Sequence, residues 1–237
     1  MSVLYHGTSE RFLEKILRMG ICPRGRAPSE NWPAKFASRK DMVYLTSAYA
    51  GYFAYNAVQS EERMLILEVD QDKLDVERMF PDEDYLGQCY AKQFDVPLET
   101  AHAQIRSRLG TFRHHWRASL SGMGTVAYRD AVPIEAVKRY ALLEITGRPR
   151  LWTSFMDPSI SIINFQHCGP KYIGMLEWVF GDRPLLPQID DLKQWAEGAK
   201  DAETIRQLEV WKSGWEAESA DRTGIEIVER KPCLKPQ

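Results

Sequence analysis

The first apolar run, Val3-Leu4-Tyr5, predicts a short strand that leads into His6-Gly7-Thr8-Ser9. The period then changes. Over residues 9–19 Phe12, Leu13, Ile16 and Leu17 recur at helical spacing, and Gly20 supplies the stop. Residues 21–41, "ICPRGRAPSENWPAKFASRKD", carry three prolines and no period, which predicts a long loop. "MVYLTS" (42–47) predicts a strand, 48–58 a helix rich in Ala and Tyr, and "MLILEVD" (64–70) a buried strand. "PDEDYLGQCYAKQF" (81–94) and residues 97–109 have helical patterns. "GTVAYRDAVP" (124–133) and "VKRYALLEI" (137–145) predict two strands joined by a turn with a proline.

Beyond "GRPR" the pattern becomes mainly helical over 170–216, a stretch holding four of the seven tryptophans, with Trp211 and Trp215 one turn apart. This divides the chain near residue 147 into a mixed domain, 1–147, and a mostly helical C-terminal extension, 148–237, packed on it. Strands neither alternate strictly with helices nor pair through two-residue turns, so the expected class is α+β with a split, mostly antiparallel sheet. No internal repeat or low-complexity segment interrupts it.

Composition narrows the function classes. The chain has 237 residues, 44% hydrophobic and 27% charged, enough to bury a sizeable core. Its net charge of −2 gives no global pull toward nucleic acid or membrane, so such a partner needs a local patch. No apolar run is long enough to span a bilayer, and the start lacks a signal-peptide pattern, so a cytoplasmic protein with no membrane partner is expected. Cys22, Cys89, Cys168 and Cys233 lie far apart and read as reduced thiols without metal-type spacing. No dinucleotide-binding Gly-x-Gly-x-x-Gly, Walker-type Gly-Lys-Ser/Thr or zinc His-Glu-x-x-His is present.

The order "LYHGTSERFLEKILRMGI", "MVYLTSAYAGYFAYNA", "MLILEVD" resembles the catalytic domain of the ADP-ribosyltransferase superfamily, in the His-Tyr branch that includes poly(ADP-ribose) polymerases and tRNA 2′-phosphotransferases. A weaker likeness continues through "GTVAYRDAVPIEAVKRYALLE" (124–144), and residues 150–237 match no pattern of the family. The resemblance implies an ADP-ribosyltransferase-like sheet and NAD as co-substrate, with no metal. It places His6 on a ribose hydroxyl, Gly7 at the nicotinamide carboxamide and Thr8 among the NAD-binding residues. Gly7 lacks a Cβ, which lets its backbone come close. Tyr44 would wall the nicotinamide slot and Tyr55, eleven residues on, would stack on the ring. Arg24 or Arg26, in the long loop, would reach the pyrophosphate. Each has a plainer competitor: a packed strand-end histidine, helix-packing tyrosines, solvated loop arginines.

One departure constrains the acceptor. Polymerase-like members carry Glu at the third signature position, where Thr125 falls in this chain, and no carboxylate lies between Glu99 and Asp130. Without a general base there, an anionic acceptor is favoured over a neutral hydroxyl. The same window concentrates Arg106, Arg108, Arg113 and Arg117 with Phe112 and Trp116, a combination suited to phosphates and unstacked bases. Its competitor is a basic helix face answering the acidic "PDEDY". The expectation is a mono-ADP-ribosyltransferase modifying RNA or DNA, in the manner of toxins or defence effectors, with an antitoxin or inhibitor as a further candidate partner. An RNA 2′-phosphotransferase is the alternative, although that family carries an N-terminal winged-helix lobe and this sequence opens at "LYHGT". A protein-modifying transferase and an inactive reader of RNA or ADP-ribose complete the set.

Overall fold

The computed structural model describes residues 3–25, 39–59, 61–144, 174–182 and 224–230, with scattered positions between 193 and 209. Seven strands form one sheet: β1 (Val3–Ser9), β2 (Met42–Thr46), β3 (Met64–Asp70), β4 (Met79–Pro81), β5 (Thr125–Arg129), β6 (Val137–Leu143) and β7 (Ile225–Glu229). Their order is β4-β5-β2-β1-β3-β6-β7, and every neighbouring pair is antiparallel. Among the described residues the uninterrupted helices are α1 (Leu13–Met19), α2 (Ala50–Ala57), α3 (Glu83–Phe94), α4 (Leu98–Arg108), α5 (Trp116–Met123) and α6 (Gly174–Val179). The α+β class with a mostly antiparallel sheet is thus observed. No helix among the described residues is long and apolar enough to cross a membrane.

Side-chain alternation assigns each strand two faces, and in the middle of the sheet both are buried. On one, Leu4, Val43, Leu45, Leu65, Leu67, Val126 and Tyr128 pack with Ile16 of α1 and Trp116 of α5. On the other, Met42, Phe80 and Ala127 meet Leu86, Ile105 and Leu109 from the α3–α4 pair. Full burial of each large aliphatic or aromatic side chain stabilises the fold by roughly 1.5–3 kcal/mol.

Several boundaries differ from the sequence expectation. β1 runs on to Ser9, because Thr8 and Ser9 continue the ladder opposite Leu65 and Met64. The expected helix over 9–19 is a 3-10 turn at Glu10–Phe12 followed by α1, and Phe12 and Leu17, assigned to its apolar face, are exposed while Ile16 is buried. Gly20, at φ 78°, does end α1; a Cβ there would lie 2.2 Å from the Val132 carbonyl oxygen. The strand expected over 124–133 stops at Arg129, where Asp130 turns the chain with φ 65°. α5 was not anticipated. Within the C-terminal ninety residues, α6 agrees with a helical reading; Trp211 and Trp215 lie outside the described residues.

β4 and β7 are both strands that the sequence pattern does not announce; β4 joins the sheet beside β5 and β7 beside β6. Buried ionic contacts fasten this side. Glu68, 1% exposed, pairs with Lys138 at 2.8 Å and Arg139 at 2.6 Å. Arg139 also pairs with Asp182 and lies over the Phe180 ring, which stacks on Tyr5. The end of α6 is thereby tied to the central strand, and Arg63–Glu226 at 2.8 Å ties β7 to the start of β3.

Candidate functional site

The site forms where the sheet is least continuous. β1 pairs with β3 from Val3 to Ser9, and β2 pairs with β5 from Met42 to Thr46. Between β1 and β2 the ladder holds one pair, Tyr5 opposite Thr46. Beyond it the two strands part, at His6 and Gly7 on one side and Tyr44 on the other. The helical covers divide at the same place: α2 packs on β1 and β3, whereas α3 and α4 cover β2, β4 and β5.

His6 sits in that opening, and its Nδ1 lies 2.9 Å from the Tyr44 carbonyl oxygen. A carbonyl only accepts, so Nδ1 carries the hydrogen. Burial pushes the imidazole below its ordinary pKa, against the opposing pull of the Tyr44 bond. The ring is therefore neutral near pH 7, and its Nε2 is a lone-pair acceptor.

Gly7 has a packing reason of its own. A Cβ there would lie 1.8 Å from the Ala50 carbonyl oxygen and 2.8 Å from the Ala54 nitrogen. The glycine is thus required by the close approach of α2 to β1. Thr8 is buried in the ladder opposite Leu65. Tyr55 is on the outer side of α2, 41% exposed, while Ala50, Ala54 and Ala57 face the sheet. Arg24 is half-buried and engaged with other groups; Arg26 lies outside the described residues.

Tyr44 is locked at its hydroxyl. The oxygen accepts from the Arg39 N–H at 3.0 Å, so its own hydrogen goes to Glu83 Oε1 at 2.5 Å. Glu83 is 2% exposed, and its Oε2 has no hydrogen-bond partner. Burial, then the Glu83 charge, raises the Tyr44 pKa above the ordinary phenol range. Burial also raises Glu83, with the Tyr44 bond working in the opposite direction. Beside it, burial and the Asp84 and Glu83 charges push Asp82 up to about 7. Asp84 is raised by burial and held back by His102 and Arg106 of α4.

These carboxyls revise the picture at the third signature position. Thr125 is buried opposite Thr46, and its side chain faces the Asp82 carboxyl, where it favours the ionised form. Ser119 braces the same corner, accepting from the Asp82 N–H at 3.0 Å and donating to the Thr125 carbonyl at 2.8 Å. The window without acids in the sequence is thus not a corner without acids in space. "PDEDY", read as the solvated partner of a basic face, delivers Asp82 and Glu83 into the interior. Asp82 and Glu83 remove the ground on which an anionic acceptor is favoured over a neutral hydroxyl.

The arginine-rich segment divides. Arg106 lies close enough to Glu83 and Asp84 to stabilise both carboxylates, and its carbonyl accepts from Arg39 at 3.4 Å. Arg113 pairs with Glu77. Trp116, expected to stack on bases, is 5% exposed and belongs to the core, with Arg117 over its ring at 4.4 Å. Arg108 and Arg117 stay exposed. Among the described residues no group of three His, Cys, Asp or Glu is arranged to hold a metal.

Asp82 yields a stability prediction. Its folded pKa of about 7 lies above the ordinary carboxyl value, so between about pH 4 and pH 7 the folded state holds a proton that the unfolded chain has released. Stability from this group is therefore greatest at low pH and declines as pH rises through that window. Asp82→Asn keeps a side-chain oxygen for the α3 N-cap, where Asp82 Oδ1 accepts from the Asp84 N–H at 2.9 Å. The variant should be more stable by up to about 4 kcal/mol at pH 8 and little changed at pH 4. Thermal melts across pH 4–8 check this; an undiminished slope in the variant would assign the effect to Glu83 and Asp84.

No family model and no curated protein matches the chain. A solved structure named EcPltA matches with a TM-score of 0.35 and 12% identity, covering 61% of this chain and 77% of that one. At that distance the match speaks to neither activity nor ligand.

Proposed function

We propose that this chain is an NAD-dependent mono-ADP-ribosyltransferase whose acceptor is a nucleic acid. The observation that carries the reading is the His6 Nδ1–Tyr44 carbonyl bond in the opening between β1 and β2. It leaves a neutral Nε2 able to accept a hydrogen bond from a ribose hydroxyl, at the sequence position where the family resemblance requires that contact.

In the reaction the C1′–N bond of the nicotinamide ribose breaks, and nicotinamide leaves with the bonding pair. The oxocarbenium-like ribose is captured by an acceptor oxygen or nitrogen, which gives up its proton if it carries one. His6 orients the ribose. Tyr44, fixed by Glu83 and Arg39, cannot swivel, so its ring offers a rigid wall. Exposed Arg108 and Arg117, with Arg113, favour a polyanionic acceptor over protein.

Incubation with NAD labelled on its adenylate portion, with RNA, DNA and protein offered separately, tests the reading. Nicotinamide release together with label on RNA or DNA is the expected result. Label on protein alone would replace the acceptor class. Absence of nicotinamide release under all three conditions would remove the transferase reading.

A further inference from the structure

A second site lies on the same face of the sheet as the Tyr44 ring. A cavity of about 390 Å³ is lined by Glu77, Phe80, Gly110, Arg113, His114 and Arg129. Its volume is within the range of small-molecule pockets. Thr125, Ala127 and Arg129 alternate onto one face of β5, and Ala127 is opposite Tyr44. Arg129 is thus two residues, about 7 Å, along the strand from the Tyr44 level.

We propose that this cavity seats one nucleotide unit of a single-stranded nucleic acid, the phosphate on Arg113 and His114 and the base on the Arg129 guanidinium. The inference rests on the acceptor class proposed above. The lining carries two permanent cations, Arg113 and Arg129, against one carboxylate, Glu77. Glu77 pairs with Arg113, but its side chain is 66% exposed and Arg113's is 42% exposed. An exposed ion pair of this kind contributes little, so a phosphate can take Arg113 and leave Glu77 to water. Arg129 lies over Phe80, 4.2 Å from the ring centroid. That stack holds one guanidinium face on the protein and leaves a planar group on which a base can lie. Gly110 adds the room: a Cβ there meets nothing within 4 Å. A double helix would present its bases edge-on inside the stack, so the pocket selects an unpaired strand.

Fluorescence anisotropy with labelled single-stranded RNA and DNA of about eight nucleotides, in the absence of NAD, provides the test. The Arg113→Gln/Arg129→Gln double variant should bind at least tenfold more weakly, and its salt slope should be shallower by about 0.7 for each phosphate it no longer neutralises. Gly110→Leu keeps all charges and fills the cavity; it should weaken binding as much while melting like the wild type. Unchanged affinity in Gly110→Leu, equal binding of a duplex, or displacement of the oligonucleotide by free NAD at this site would overturn the proposal. Nicotinamide release by the same variants separates the two readings. Release retained with no oligonucleotide binding by wild type rejects the cavity alone, whereas binding retained with no release by wild type rejects the transferase alone.

Discussion

His6→Ala is expected to reduce nicotinamide release by at least about a hundredfold while the protein remains folded, since a preorganised hydrogen bond to a reacting group is commonly worth that much. The substitution deletes the Nε2 acceptor and the tie from Nδ1 to the Tyr44 carbonyl together. The stranded carbonyl costs about 1–2 kcal/mol of stability if water does not reach it, which a cooperative fold of this size tolerates. The pH profile carries a second signature. Burial holds the imidazole below its ordinary pKa, so the acceptor form persists through neutrality and is lost only as pH falls through that depressed value. Wild-type turnover should therefore not decline between pH 8 and 7 on account of His6. Near wild-type release by His6→Ala would dismiss the site assignment altogether.

Gly7→Ala is expected to lower stability by about 3 kcal/mol, at the upper end of what overpacking usually costs. The new methyl would be 1.8 Å from the Ala50 carbonyl oxygen, and its neighbours are helix backbone with no rotamer to give. Relief requires α2 to lift from β1 next to His6, which should cost activity as well. Gly51→Ala is the control: it adds the same methyl one residue into α2, where nothing lies within 4 Å. Greater helix propensity should leave it neutral or stabilised by up to about 1 kcal/mol. Thermal melts of both variants decide the matter; similar melting of the two would mean the glycine is not a packing requirement.

The central strands were legible because their apolar runs are bounded by clear breaks. "MLILEVD" became β3 over the same residues, and "MVYLTS" became β2 one residue shorter. The gathering of His6 and Tyr44 was legible only through family resemblance, since 38 residues separate them in the chain. The carboxyl corner was not legible. A run such as Asp82-Glu83-Asp84 is ordinarily solvated, and its burial follows from β4 docking on β5 and delivering α3 onto Tyr44. The one local clue was Asp82 ahead of a helical pattern, an N-cap position, which fixes where α3 starts and nothing about what surrounds it. Trp116 was misread for the converse reason. Neighbouring arginines and histidines gave its stretch a polar look, while the indole itself turns inward between α5 and the sheet. β7 was missed because five residues with two glutamates make a weak alternating signal.

The two margins of the sheet bear on how the protein behaves in crowded solution. At one margin β4 is three residues long and ends in Pro81, which has no amide hydrogen to offer an incoming strand, and the 3-10 stretch Leu109–His115 packs beside it. At the other margin of the described sheet, β7 carries Glu226, paired with Arg63, and Glu229, charged residues of the kind that blunt a sheet edge. Among the described residues, neither border of the sheet that opens internally at His6 and Tyr44 offers a long, uncharged strand to an incoming one, a pattern that disfavours edge-to-edge growth.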